Sequence, residues 1–149
     1  MRKVLIFVFA FLIGILQTQI RVLGVVPDFL VIFFVFLVFK KKYFQGISLI
    51  FILISRIFSS APVVGIVLYW AIMEVIIGIW RRSFIYIHKS ASFFLIISLS
   101  VYSFIFWRTG YRVDVNYWLN FLKYLSINLL FFIPLYFLIP EIYSNEEKE

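Results

Sequence analysis

The strongest constraint on this chain is a series of apolar runs, each separated from the next by a few basic or polar residues. A helix needs about 20 apolar residues to cross a bilayer, and about 17 are sometimes enough. Six runs are close to this length, and they cover residues 4–20, 25–39, 43–58, 63–80, 91–107 and 117–139. The pattern predicts an all-α integral membrane protein in which six transmembrane helices form a single domain over residues 1–149.

The composition favours lipid as the surrounding medium. Hydrophobic residues make up 64% of the chain and charged residues only 14%, whereas about a quarter of a soluble domain is charged. A soluble domain of this length would bury about 70% of its unfolded surface, which would leave many of the 20 Phe residues in water. This argues against a soluble enzyme, a disordered tail or a DNA-binding domain, despite the net charge of +7. We expect membrane lipid, and no nucleic acid, as a partner.

Helices are favoured over strands because the runs lack the period-two alternation of transmembrane barrels, as residues 30–36 illustrate. Short connections predict that consecutive helices are antiparallel and adjacent. The first run resembles a signal peptide, but no small-x-small cleavage site follows it, so we favour an uncleaved span. Because Pro62 follows the third run, five spans plus a re-entrant segment is an alternative.

The basic residues predict the orientation of the bundle. If the N-terminus is cytoplasmic, eight basic residues fall on the inner side and three on the outer side. The inner set is Arg2, Lys3, Lys40, Lys41, Lys42, Arg81, Arg82 and Lys89, and the outer set is Arg21, Arg108 and Arg112. This bias matches the positive-inside rule. It predicts that both termini, including the acidic tail 145–149, are cytoplasmic.

Four charged residues fall within or near the apolar runs: Asp28, Arg56, Glu74 and Lys123. Each costs about 2.5–3.5 kcal/mol to insert, and such residues usually face the bundle interior with a partner. Their depths predict two pairs, Asp28 with Arg56 and Glu74 with Lys123. The groups are interpreted either as ion pairs that fix helix order, or as a polar cavity or partner-docking site that opens outward.

No motif for chemistry stands out. Cysteine is absent, there is one histidine, and the six glycines are dispersed, so neither the usual metal centres nor a phosphate-binding loop is expected. We predict no catalytic site, no metal and no cofactor. Small residues at Ala10 and Gly14 lie four apart, a spacing that lets helices approach closely, and Gly65 follows Ala61 at the same spacing.

The first half of the chain resembles the rod shape-determining protein MreD family. The matching elements, in order, are Val26-Pro27-Asp28-Phe29-Leu30, the basic turn Lys40-Lys41-Lys42, Gln45-Gly46, and the exit Phe58-Ser59-Ser60-Ala61-Pro62 followed by Gly65. Arg56 stands where that family often has an acidic or amide residue. The resemblance implies five or six spans, and it makes Pro27, Ser59, Pro62 and Gly65 candidates for helix packing.

The resemblance also implies a non-enzymatic role in the bacterial cytoplasmic membrane. Members of that family act with the bitopic protein MreC in lateral cell-wall synthesis, alongside the MreB filament, a RodA-type polymerase and a penicillin-binding transpeptidase. Their fold is similar to that of the substrate-binding subunits of energy-coupling-factor vitamin transporters. A transporter subunit of that kind, docking through Ala10 and Gly14, is therefore the alternative function.

Overall fold

The structure is a computed structural model, and it describes residues 2–39, 45–57, 61–83, 89–110 and 112–139. Six α-helices account for most of these residues. They are α1 (Arg2–Gln19), α2 (Phe29–Phe39), α3 (Gln45–Ser55), α4 (Val63–Ser83), α5 (Ala91–Trp107) and α6 (Val115–Tyr136). Within these ranges there is no strand, only an isolated bridge between Val22 and Val25. The prediction of an all-helical chain is confirmed.

The second helix begins four residues later than the sequence predicts. Val22 and Val25 exchange backbone hydrogen bonds of 2.8 and 3.0 Å across a tight turn. The two residues inside the turn have positive φ angles, 52° at Leu23 and 81° at Gly24, as the tightest hairpin turns require. Asp28 then accepts a hydrogen bond from the Val31 N–H at 3.2 Å. This bond caps the helix, so α2 starts at Phe29 and not at Val25.

Helix α2 lies at the centre of the bundle, packed against α1, α5 and α6. Most of its side chains are buried, and Leu30, Val31 and Val35 are inaccessible to solvent. A helix that is apolar on every face is typical of such a central position. The described residues of Phe29–Phe39 carry no polar side chain, which agrees with contacts on several sides.

Chain order does not set every helix contact. Between α2 and α3 the predicted adjacency is seen in side-chain contacts only, because the α3 backbone packs mainly on α1 and α4. The two helices meet through aromatic side chains, with the Phe51 ring 5.3 Å from that of Phe33 and 5.5 Å from that of Phe34. The other consecutive pairs do pack together.

The contact between α1 and α3 depends on the absence of a side chain at Gly14. A Cβ atom there would lie 2.6 Å from the carbonyl oxygen of Ser55 and 3.1 Å from its Cα. Ala10, one turn earlier on α1, is fully buried. Gly65 is different, because a Cβ there would meet only Pro62, at 3.5 Å. The structure therefore does not support Gly65 as a point of close helix approach.

Two of the described helices are long and apolar enough to cross a membrane, by length and composition alone. They are Val63–Arg82 and Val115–Tyr136. The apolar segments Phe7–Gln19, Phe29–Phe39 and Ala91–Trp107 are shorter. The six-span arrangement therefore stays a prediction.

We predict that Gly14→Ala lowers the free energy of unfolding by about 1–3 kcal/mol, because the added methyl group must displace the α3 backbone. Gly78→Ala is the matched control, since a Cβ at Gly78 would meet nothing within 4 Å. That change should be neutral or stabilising by up to about 1 kcal/mol, as expected for Gly to Ala within a helix. Thermal unfolding of the two variants in detergent, followed by circular dichroism, measures both effects. Equal stabilities would contradict the close approach of α1 and α3.

Candidate functional site

The carboxylate of Asp28 is buried at the start of α2, with only 5% of the residue exposed. Its Oδ1 accepts hydrogen bonds from the Val31 N–H at 3.2 Å and from Gln17 Nε2 at 3.1 Å. Its Oδ2 accepts from Ser103 Oγ at 2.6 Å and from Tyr124 Oη at 2.9 Å. Each oxygen therefore has two donors, and all of these donors are neutral. Such full hydrogen bonding is what allows a charged group to be buried.

The hydrogen bonds continue from Asp28 into α4, α5 and α6. The Asp28 N–H donates to Asn128 Oδ1 at 2.8 Å, and Asn128 Nδ2 donates to Ser100 Oγ at 3.1 Å. Tyr69 Oη donates to Ser103 Oγ, also at 3.1 Å. We call these side chains the Asp28 cluster; its members are Gln17, Asp28, Tyr69, Ser100, Ser103, Tyr124 and Asn128. The cluster connects α1, α2, α4, α5 and α6.

The predicted ion pair between Asp28 and Arg56 is not formed. Neutral donors occupy both Asp28 oxygens, and α3 is not packed along α2. The guanidinium of Arg56 instead lies over the Trp107 ring, with Cζ 4.6 Å from the ring centroid. Arg56 and Asp28 nevertheless line the same cavity.

The predicted pair of Glu74 and Lys123 is also wrong. Glu74 Oε1 accepts a hydrogen bond of 2.6 Å from Ser48 Oγ, and Trp70 Nε1 donates to the same Ser48 oxygen at 2.9 Å. Lys123 is exposed on α6. Helix α4, which carries Glu74, packs on α3 and α5, so Glu74 meets the neighbouring helix α3 and not α6.

A cavity of about 270 Å³ adjoins the Asp28 cluster. It is lined by residues from the C-terminal parts of α1 and α5, from the end of α3 and the residue after it, from the segment just before α2, and from the N-terminal half of α6. These parts share one end of the bundle because helices that meet there alternate in direction. Arg56 and Arg108 lie in the lining together with Asp28. In the predicted orientation this end faces outward.

Several predicted residues do not belong to this site. Arg81 and Arg82 are exposed in the last turn of α4. Pro62 is exposed just before α4, and Pro27 lines the cavity next to Asp28. The basic turn Lys40-Lys41-Lys42 and Ser59 lie outside the described residues, as does the tail 145–149.

The neutral members of the cluster were not predicted from the sequence. Ser100, Ser103 and Asn128 are buried, and each lies inside an apolar run, where a polar side chain needs a partner. The position of a polar residue inside an apolar run could therefore have predicted that its side chain is hydrogen-bonded in the bundle interior. It could not have predicted which partner each side chain has. Among the described residues, no three His, Asp or Glu side chains gather in a way that suits a metal ion.

We predict that Asp28→Ala lowers the free energy of unfolding by about 3–5 kcal/mol, because it leaves several buried donors without an acceptor. Asp114→Ala is the control. Asp114 is an exposed acidic residue that caps α6 through a 2.8 Å bond from the Tyr117 N–H, so its loss should cost about 1 kcal/mol. Unfolding in a detergent series measures both.

Double-mutant cycles separate hydrogen-bond partners from cavity neighbours. In the free energy of unfolding, Asp28→Ala should show clear coupling to Tyr124→Phe. Its coupling to Arg56→Gln should be smaller. Glu74→Ala and Lys123→Ala should be additive. A larger coupling of Asp28 with Arg56 than with Tyr124 would contradict the arrangement described above.

Comparison with known proteins adds no relative. No family model, curated protein or solved structure matches the chain.

Proposed function

We propose that this protein is a six-span membrane scaffold of the MreD type, which holds partner membrane proteins in a cell-wall synthesis complex and has no enzymatic activity. The observation that carries the proposal is the position of Asp28. This residue belongs to the Pro-Asp element of the resemblance, and its carboxylate accepts hydrogen bonds from α1, α5 and α6.

The exposed surface of the described helices supports a membrane location. Among the described residues, 29 large hydrophobic side chains are exposed, including Val64 at 80% and Phe94 at 61%. Exposed apolar surface on this scale is unfavourable in water, whereas in lipid it carries no such penalty. The polar side chains of the Asp28 cluster agree with this view, since they hydrogen-bond to one another, as the interior of a membrane requires.

The chemistry of the Asp28 cluster supports a structural role. Its carboxylate is saturated by four donors, so it is not poised to take a proton from a substrate. The members lie on five helices and hold them in one arrangement. A bundle fixed in this way can present constant helix faces to partner helices, and this is the mechanism that we propose for the scaffold.

The proposed partners follow from the resemblance. We infer that an MreC-like bitopic protein binds the bundle in the bacterial cytoplasmic membrane. MreB, a RodA-type polymerase and a penicillin-binding transpeptidase would belong to the same complex. The small-residue face of α1 is not available for them near Gly14, because α3 already covers it.

The presence of a cavity suggests a second candidate function, the substrate-binding subunit of a vitamin transporter, but the size of the cavity does not favour it. Pockets for drug-sized ligands measure about 300–1,000 Å³, and this cavity measures about 270 Å³. The cavity is therefore slightly smaller than the smallest pockets of that kind. For this reason we prefer the scaffold.

We predict the orientation from labelling of single cysteines, each unique because the chain contains no cysteine. Lys41→Cys and Arg81→Cys should be protected from a membrane-impermeant thiol reagent added to intact cells, because positive-inside loops are cytoplasmic. Arg112→Cys, at the opposite end, should react. Labelling of Lys41→Cys or Arg81→Cys from outside would contradict the proposed orientation.

We predict that the full chain co-purifies with an MreC-like protein in mild detergent and that its depletion turns rod-shaped cells round. An unrelated bitopic protein from the same membrane is the control for capture, and it should stay in the flow-through. Mass spectrometry of the purified protein separates the alternatives, since a retained vitamin would favour the transporter. No association together with normal cell shape would refute the scaffold.

A further inference from the structure

We infer that the cavity between the helix ends binds a phosphate group, carried either by a lipid or by a free small molecule. This inference goes beyond the scaffold role. If the phosphate belongs to a lipid, the inference rests on one part of the proposed function, the membrane location. If the phosphate belongs to a free small molecule, the inference does not depend on the proposed function.

Two arginines supply positive charge to the cavity lining. Arg56 follows α3 and has its Cζ 4.6 Å from the centroid of the Trp107 ring, and Arg108 follows α5 and has its Cζ 4.5 Å from the centroid of the Phe104 ring. Stacking uses the face of a guanidinium, whereas its five N–H donors lie in its plane. The contact with Phe104 therefore leaves the N–H donors of Arg108 able to meet phosphate oxygens in a bidentate way, while Arg56 contributes a second positive charge to the lining.

The one acidic residue of the lining does not neutralise either arginine. Asp28 is bonded to neutral donors on both oxygens, and no ion pair joins it to Arg56. The lining contains two arginines and this single carboxylate, so its net charge is positive. A partly enclosed site strengthens that field compared with open solvent.

A further donor lies beside the arginines. The Nε1 atom of Trp107 is buried and has no hydrogen-bond partner in the described part of the chain, although Trp107 lines the cavity. Buried N–H groups nearly always find an acceptor. A phosphate oxygen in the cavity would accept a hydrogen bond from Trp107 Nε1, whereas a cationic or purely apolar ligand would offer no acceptor.

The size of the cavity limits the ligand to a small group. A water molecule occupies about 30 Å³ of liquid, so about 270 Å³ holds a phosphate with part of its ester. Exposed apolar side chains of α1 and α5 lie near the same end, for example Ile15 and Ile105. These side chains would contact the acyl chains of a lipid whose headgroup occupies the cavity. The experiment therefore compares a lipid headgroup with a free phosphate.

The experiment uses the full chain in a non-ionic detergent and titrates it with three probes by calorimetry. The probes are inorganic phosphate, short-chain phosphatidic acid, and short-chain phosphatidylcholine, which has the same acyl chains but no net charge. We expect phosphatidic acid to bind and phosphatidylcholine not to bind at the same concentration. Inorganic phosphate binding as tightly as phosphatidic acid would assign the site to a free anion, and weaker or absent phosphate binding would assign it to a lipid headgroup.

Arg56→Gln with Arg108→Gln should weaken phosphatidic acid binding by about tenfold or more, since each charged hydrogen bond contributes substantially. Arg112→Gln removes the same charge from an exposed position outside the cavity and should leave the affinity within about twofold. Arg108→Gln alone, at a helix end, serves if the double variant does not fold. Absence of binding by folded wild-type protein, or equal weakening by Arg112→Gln, would overturn the inference. Neither result would bear on capture of an MreC-like partner, so the two proposals fail separately.

Discussion

The rest of this structure depends on the burial of one carboxylate with a complete set of neutral donors. Asp28 takes one hydrogen bond from its own helix and one each from α1, α5 and α6. A carboxylate removed from water is stable only when such donors are all in place. Four chain segments must therefore be in register at once, which makes the cluster a condition on the fold as a whole and not a local contact.

Helix packing follows from this condition together with the missing side chain at Gly14. Asp28 holds the start of α2 between α5 and α6, and the close approach at Gly14 lets α1 cover α3. Helix α3 is then separated from the α2 backbone, and its terminal Arg56 meets Trp107 on α5. Helix packing, and not order in the chain, therefore determines which polar groups lie close together.

The two proposed roles use different properties of the same end of the bundle. The Asp28 cluster gives rigidity because its donors and acceptors bond to each other, which suits a scaffold that presents fixed helix faces. The adjoining cavity contains cationic groups that this cluster does not neutralise, which suits an anionic ligand. A bound phosphate group would connect the ends of α3 and α5 and add to the rigidity that a scaffold needs.

The sequence by itself determined that the chain is helical, where the apolar runs lie, and that Asp28 and Arg56 belong to one end of the bundle. Apolar runs bounded by polar residues are local signals, and each helix can be predicted from its own residues. The pairing of polar groups was decided only by tertiary structure. Depth along a helix predicted Asp28 with Arg56 and Glu74 with Lys123, yet depth carries no information about which faces meet. Helix α2 is apolar on every side, so nothing in its sequence indicates its neighbours. The donors that satisfy Asp28 became visible only when the packed helices brought residues from distant parts of the chain, among them Ser103 and Tyr124, to its two oxygens.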